Sequence, residues 1–301
     1  MHTIEIPESG LTLYMPSDLS ECDDRQYIEM SELIFRFQNG YLPYDEMKIQ
    51  AVYKLLNLKA VPSFWESDEE DKLSNIYLIS ELVDNFFEIN EEGVKILKQF
   101  YVNNPVPSIK PIFTRYFGPS DGFMNITFGE YTDALRLFHD FYATGEIKLI
   151  YLLTAIFYRE KTSFHFFKKK SNNYNGDIRR AYNSNLIEKR ADKFKDAPFG
   201  FIYGTFLLFA SFQKYLVEAK IQWGGQELDL SILFDNKNSD SAPSVIPGIG
   251  MDAIAFTLAE SGAFGSLEKV RATNFWQIIV RMYDLQKTNL EQKQRENAAS
   301  K

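Results

Sequence analysis

NITFGEYTDALRLFHDFYATGEIKLIYLLTAIFYREK, running from Asn125 to Lys161, decides the fold. It reads as two helices joined at Thr144-Gly145. Thr127 and Glu130 stand in S/T-x-x-E spacing, in which the hydroxyl and the carboxylate each satisfy an orphan backbone N–H at a helix start. Leu135, Phe138, Phe141 and Tyr142 recur at three- and four-residue steps and give the first helix an apolar face. The second helix is apolar almost all round, with Ile147, Leu149, Ile150, Leu152, Leu153, Ala155, Ile156 and Phe157. Such a helix is buried on nearly every side, so Leu152, Leu153 and Ile156 are all expected in the core. Charge begins abruptly at Tyr158-Arg159-Glu160-Lys161 and ends the element.

On the N-terminal side, Thr3–Ile6 and Leu11–Tyr14 alternate around Pro7-Glu8-Ser9-Gly10, the pattern of a small hairpin. A helix starts at Asp23-Asp24, where acids suit the positive end of the macrodipole. It carries Tyr27, Met30, Leu33, Ile34 and Phe37 and stops at Asn39-Gly40. Pro43-Tyr44 opens a second helix with Met47, Val52, Leu55 and Leu56, and Pro62 closes the unit. Gln26-Tyr27, Leu33, Phe37 and Gly40 match Glu130-Tyr131, Leu137, Phe141 and Gly145 in order. The match reads either as an internal duplication or as two ordinary amphipathic hairpins, because helix periodicity alone generates such correspondences. A third helix begins at Ser67-Asp68-Glu69-Glu70, with Leu73, Ile76, Tyr77, Ile79, Leu82, Val83 and Phe86 facing inward. A short helix is expected over Glu91–Tyr101. The four prolines of NNPVPSIKPIFTRYFGPSDG, Asn103–Gly122, forbid a continuous helix and suggest a linker.

Beyond Arg159, SFHFFKKKSNNYNGDIRRAYN carries turn signals at Asn172-Asn173 and Asn175-Gly176, with Phe164 and Phe166 alternating as in a short strand. Leu186–Phe194 reads as a short helix, and Pro198 as the first position of a longer one reaching about Glu218. The uncharged stretch Phe199–Gln213 falls short of the roughly 20 residues a membrane-spanning helix needs, so a buried helix is expected and no membrane contact. Gln222-Trp223-Gly224-Gly225 turns the chain, Leu228–Phe234 is a short apolar segment, and DNKNSDSAPSVIPG is a polar linker. A helix with Ala253, Phe256 and Leu258 follows and ends at Ser261-Gly262, and Ser266 opens a short one. The last helix starts at Thr273 or Asn274 and turns Phe275, Ile278, Ile279, Met282 and Leu285 to the core. The expected fold is mostly α and multi-helical: two helical lobes with one or two small β-hairpins. The segments are 1–122, 123–234 with the basic stretch, and a C-terminal appendage over 235–301.

The chain has 301 residues, 45% hydrophobic and 25% charged, as expected for a globular protein with a sizeable core. Its 26 Phe and 17 Tyr are read as core filling in preference to a sticky surface, since buried aromatics contribute large apolar areas. The single cysteine, Cys22, forms no intrachain disulfide and assembles no thiolate metal site. MHTIEIPESG has no basic or apolar targeting region, which fits a cytoplasmic protein. The formal charge of −8 argues against a surface that wraps nucleic acid. The charge is uneven, though: Arg159–Lys195 holds eleven Lys/Arg against four Asp/Glu, which leaves −15 on the rest. Within it, Lys168, Lys169, Lys170, Arg179 and Arg180 form a candidate basic patch, with Phe166, Phe167 and Tyr174 interleaved. Three readings rank in order: a solvated face, a dock for an acidic partner or a second copy, and a grip on single-stranded nucleic acid.

No catalytic constellation is assembled in sequence, and no enzyme, cofactor or metal is expected. His2, His139 and His165 lie in unrelated settings, and His139 lacks a ligand at i+4. Gly248-Ile249-Gly250-Met251-Asp252-Ala253 spells G-x-G-x-x-A, but a loop precedes it where a dinucleotide site needs a buried strand.

ITFGEY, the buried run closing on AIFYRE, and Pro198-Phe199-Gly200 opening an apolar helix that contains Gly204 together resemble the helical core of tail-assembly-chaperone-like proteins of long-tailed bacteriophages and prophages. The resemblance covers roughly Asn125–Leu216, and the flanks MPSDLSECDDRQYIEMSELIFRFQNG and GIGMDAIAFTLAESGAFGSLEKVRATN look like segments of related phage reading frames. It implies a non-enzymatic morphogenesis protein of the host cytoplasm that binds the tape-measure protein and keeps it from aggregating before the tail tube polymerises. Such a client needs an apolar groove, for which Phe206 and Phe209 and the face Phe275, Ile278, Ile279, Met282 and Leu285 are the candidates. The competing class is a connector or ring subunit of the virion that self-associates and turns its basic segment toward DNA.

Overall fold

In the computed structural model, which describes residues 1–6, 10–58, 69–163, 176–233 and 249–299, ten α-helices and four small antiparallel sheets surround one apolar core. The expectations resting on Pro7-Glu8-Ser9, Pro62, Ser67-Asp68, the Leu73 side chain, Phe164–Tyr174 with Lys168, Lys169 and Lys170, the linker at 235–248 and Gly248 lie outside the described residues.

β1 (His2–Ile6) and β2 (Leu11–Met15) form the expected hairpin, with His2 opposite Met15. α1 (Asp24–Gln38) starts on a capping box in which Asp23 and Gln26 satisfy each other's backbone N–H. α2 (Tyr44–Leu55) follows Pro43, and α3 (Glu69–Ser80) runs into a 3-10 turn at Glu81–Phe86. Val83 and Phe86 are buried as expected, whereas Tyr77 is exposed.

Glu91–Tyr101 is not a helix. β3 (Phe87–Ile89) and β4 (Lys95–Leu97) pair antiparallel across it. The Asn90 carboxamide oxygen accepts from Glu92 N and Val94 N, and this local closure outcompetes a helical turn. Nor is Asn103–Gly122 a slack linker. It carries β5 (Ser108–Ile109) and β6 (Tyr116–Phe117), the latter paired with β7 (Arg159–Glu160), and buries Val106 and Tyr116.

α4 (Phe128–Thr144) opens on the Thr127/Glu130 capping box and ends at the left-handed Gly145. α5 (Ile147–Phe157) buries Leu153 and Ile156 completely. Leu152 is only half-buried, a correction to the expected core, because it faces a cleft beside Ile187. α6 (Ile187–Ala191) is short, and α7 (Phe199–Glu218) is the apolar axis of the molecule. β8 (Lys220–Trp223) and β9 (Gln226–Asp229) make a fourth sheet, followed by α8 (Ile249–Glu260), α9 (Leu267–Ala272) and α10 (Phe275–Ala299).

The lobes expected on either side of 103–122 share this core. α1 crosses α7 so closely that a Cβ on Gly200 would overlap the Ile28 carbonyl oxygen, and one on Gly204 would meet the Tyr27 ring at 2.7 Å. The Tyr27 hydroxyl donates to the Gly204 carbonyl at 2.8 Å and sits 2.8 Å from the Tyr101 hydroxyl. Two glycines thus let the backbones approach and put the N-terminal helix into the central one.

Candidate functional site

The residues expected to face a client are mostly interior. Phe206 stacks on Phe138 and Tyr203 at 5.2 and 5.5 Å, and Phe209 packs on Phe157 and Phe138 at 5.3 and 5.4 Å. Phe275, Ile278 and Ile279 are fully buried, with Phe275 4.3 Å from the Tyr131 ring centroid. Hydrogen bonds hold the start of α10 in place. Phe275 N donates to the Ile126 carbonyl at 3.0 Å, Asn274 Nδ2 to that of Met124 at 2.7 Å, and Trp276 Nε1 to that of Gly122 at 2.9 Å. Met282 is half-buried and Leu285 is 41% exposed. Periodicity located an apolar face correctly but said nothing of what covers it, which is α4 and α7.

The basic stretch is also partly turned inward. Arg179 is not a surface residue: with Arg159 it is buried against Glu130 and Asp177. Glu130 Oε2 accepts the Thr127 backbone N–H at 2.9 Å, while Oε1 accepts from Arg159 Nη1 and lies 3.5 Å from Arg179 Nη1. Arg179 grips Asp177 bidentately, Nε to Oδ1 at 2.9 Å and Nη2 to Oδ2 at 3.0 Å. Its remaining donors reach the carbonyls of Phe157 and Asn125 at 2.9 and 2.8 Å. Arg159 adds the carbonyls of Arg180 and Ile156 at 2.8 and 3.0 Å. Burial pushes the Arg159 guanidinium below its ordinary value, and the Glu130 carboxylate opposes that push. Two cations against two carboxylates cancel, so the centre offers no charge to a phosphate. It ties the start of α4 to the end of α5 and to the strand-like 177–180. Next to it Arg190 pairs with Glu160 at 3.2 Å, and Asp133 accepts from Tyr182 and from Arg271 at 2.9 Å. Arg180 alone of the described patch residues is exposed.

The capping box and the Tyr-Arg end of α5 were visible in sequence, but their joining was not, since the partners stand 29 residues apart. Sequence reasoning also missed a half-buried cluster at Lys48. Its ammonium lies 2.7 Å from Glu81 Oε1, while Lys95 Nζ reaches Asp84 Oδ1 at 2.6 Å and stands 4.1 Å over the Tyr44 ring. Lys95 thereby clamps one face of the β3–β4 hairpin to the body.

The opposite face of that hairpin is open and sets apolar side chains among the charged Glu88 and Lys98. Side chains alternate along a strand, so Val94 and Ile96 share the face away from Leu97, and both are exposed. Exposed Phe100 continues them and lies 5.7 Å from the Tyr215 ring. The Glu88–Lys214 ion pair at 3.1 Å crosses the same face, and exposed Val217 lies one helical turn beyond Lys214 on α7. No family model, curated protein or solved structure matches the chain. Among the described residues no group of His, Cys, Asp or Glu is arranged to hold a metal ion, and no helix is long and apolar enough to cross a membrane. Burial raises the Cys22 thiol far above its ordinary value, which leaves it unreactive.

A cleft of about 540 Å³ opens beside α4. Leu137, Leu152 and Ile187 give it apolar walls, Ser184 and Asn185 polar ones, and Asp133, Glu188, Arg136 and Arg271 its charges. Both arginines are turned to Asp133, at 3.6 and 2.9 Å.

Proposed function

We propose that this protein is a non-enzymatic morphogenesis protein of a long-tailed bacteriophage, a tail assembly chaperone that holds the tape-measure protein in the host cytoplasm. The resemblance over 125–216 supplies the class. The observation that carries it here is the exposed group Val94, Ile96 and Phe100, continued by half-buried Tyr215 and by Val217 and edged by Lys98 and the Glu88–Lys214 pair. An amphipathic helix aggregates through its stripe and is protected when that stripe is covered by an apolar surface. The group takes over the role first assigned to Phe206, Phe209 and the α10 face, which are occupied by the protein's own core. Its hairpin is held by Lys95 and Asp84, so a client meets a surface already ordered.

Co-expression with the tape-measure protein tests the reading. The parent chain keeps that partner soluble, and the double substitution Ile96→Asp/Phe100→Asp, on exposed positions, abolishes the rescue while leaving the helical circular dichroism unchanged. A partner equally soluble with and without the parent chain overturns the proposal. So does recovery of the protein in purified particles, which points to a virion component instead.

A further inference from the structure

β5 and β6 carry a tip, Lys110 to Arg115, that stands off the body. Phe113 there is 90% exposed, more than any other large hydrophobic among the described residues, and Ile112 beside it is 52% exposed. The support beneath them is firm. Ser108 pairs with Phe117 and Ile109 with Tyr116, Gly118 N donates to the Pro107 carbonyl at 2.9 Å, and Tyr116 packs on Phe194 at 4.8 Å.

The cations at the base of the tip are set in register. β6 pairs with β7, Tyr116 opposite Glu160. The strand-like 178–180 extends the same sheet, with Arg180 N donating to the Glu160 carbonyl at 2.7 Å and Thr162 N to that of Ile178 at 2.9 Å. One step past the row Ile109, Tyr116 and Glu160 stand Lys110, Arg115 and Lys161, on three neighbouring strands. All three are exposed, as is Arg180, and none of the four makes an ion pair among the described residues. Like charges opposite one another on adjacent strands destabilise a sheet, a cost that a facing layer of anions removes. Segment 105–120 contains no acid to oppose them. Behind the row the charges cancel: Arg190 pairs with Glu160 and Lys195 with Asp192, while exposed Lys189 and Lys193 stand against Glu188 and Asp196.

We propose that this tip docks on an anionic phospholipid surface, Ile112 and Phe113 entering the acyl boundary while Lys110, Arg115 and Lys161 meet the phosphates one layer behind. An apolar apex with cations at its base matches the layering of the bilayer interface, and a surface contact of this kind needs no spanning helix. A nucleic acid duplex would also meet the cations. Wedging Ile112 and Phe113 between its bases costs unstacking, however, which such binders recover by wrapping the duplex over a large surface. A chain of net charge −8 is a poor source of that surface. Lipid asks for no unstacking. A contact confined to the tip leaves the acidic body in solvent, where salt screens its repulsion within about 8–10 Å. The tip is separate from Val94, Ile96 and Phe100, and its role does not depend on the tape-measure reading.

Flotation of the full chain with vesicles tests it, equal parts of phosphatidylglycerol and phosphatidylcholine against phosphatidylcholine alone. The parent floats with the anionic vesicles at low salt, stays behind with the neutral ones, and is released as salt rises. Phe113→Asp lowers the partition coefficient at least about tenfold, the scale of leaving a large apolar side chain unburied. Lys110→Gln and Lys161→Gln lower it about fivefold each, the effect of one cation at an anionic surface. All three positions are exposed, and circular dichroism checks that each variant keeps its helices. Brominated acyl chains quench the added emission of Phe113→Trp, which puts the apex below the phosphates. A parent that stays unbound to the anionic vesicles at low salt overturns the proposal, and one that binds a DNA duplex instead makes the tip a wedge. Binding that folded Phe113→Asp and the two lysine variants leave unchanged overturns it as well.

Discussion

Replacing Glu130 by alanine strikes the buried ionic centre at the more deeply buried of the two carboxylates that both arginines share. The side chain is fully buried, caps α4 through Thr127 N, and faces two guanidinium groups. Without it Arg159 and Arg179 share Asp177 alone, and one positive charge is left in the interior without a counter-ion. Breaking a buried pair from one side costs about 3–5 kcal/mol, and losing the cap adds about 1 kcal/mol. A total of about 4–6 kcal/mol is a large fraction of the roughly 5–15 kcal/mol that holds a folded domain. Glu130→Gln separates the two effects, because its carbonyl still accepts from Thr127 N. It is expected to cost about 1 kcal/mol less than the alanine. Adding Arg159→Met to Glu130→Gln leaves Arg179 and Asp177 as a neutral bidentate pair, so the double substitution costs less than the sum of the singles. Urea unfolding followed by circular dichroism gives each value. A Glu130→Ala protein within about 1 kcal/mol of the parent, or strict additivity in the double, refutes a closed ionic centre.

Gly200→Ala, which raises intrinsic helix propensity by about 1 kcal/mol, is expected to destabilise strongly because its methyl meets the Ile28 carbonyl; a higher melting temperature would contradict the α1–α7 crossing. Leu153→Ala costs about 2–5 kcal/mol by cavity formation, and Leu152→Ala, at the cleft wall, measurably less in the same denaturant series. Ending the chain before Thr273 removes Phe275, Ile278 and Ile279 from the core and yields insoluble protein, whereas ending it after Gln286 removes only the polar end of α10 and leaves the melting temperature unchanged. Burial by itself would raise the Asp84 carboxyl, but Lys95, Tyr44 and Lys48 outweigh it and hold it below its ordinary value of 3.8. A lowered carboxylate contributes stability above that value and loses it as pH falls through the folded-state value, so Asp84→Asn flattens the acid limb of the stability–pH curve below about pH 4.

What sequence made visible was local. The helix start at Asp23-Asp24, the cap at Thr127/Glu130, the turn at Gly145 and the apolar α5 and α7 all follow from neighbours within a turn or two. The β3–β4 hairpin escaped because Val94, Ile96 and Leu97 fit helical and strand spacing alike, and what arbitrates is one side chain, Asn90, accepting from Glu92 N and Val94 N. Arg159 and Arg179 were read as surface because an isolated cation belongs in water. Only partners brought from distant segments offset their desolvation, and no spacing announces them. The client face failed for a related reason: an apolar stripe on α10 looks the same whether a partner or α4 covers it.

The close crossing of α1 and α7 has a bearing on how the chain is made. Some 160 residues separate the end of α1 from the start of α7, and at roughly 5–20 residues per second a ribosome needs about ten to thirty seconds to supply them. Throughout that interval Tyr27, Ile28 and Phe35 of α1 have no α7 to lie against, and α7 then emerges with an almost wholly apolar first half. The partial chain is thus a sticky amphipathic polypeptide awaiting cover. Its yield in the cell is set less by the stability of the finished fold than by what shields this unfinished one, and slowing initiation or raising the level of ribosome-associated folding factors should increase soluble protein without changing a single native contact.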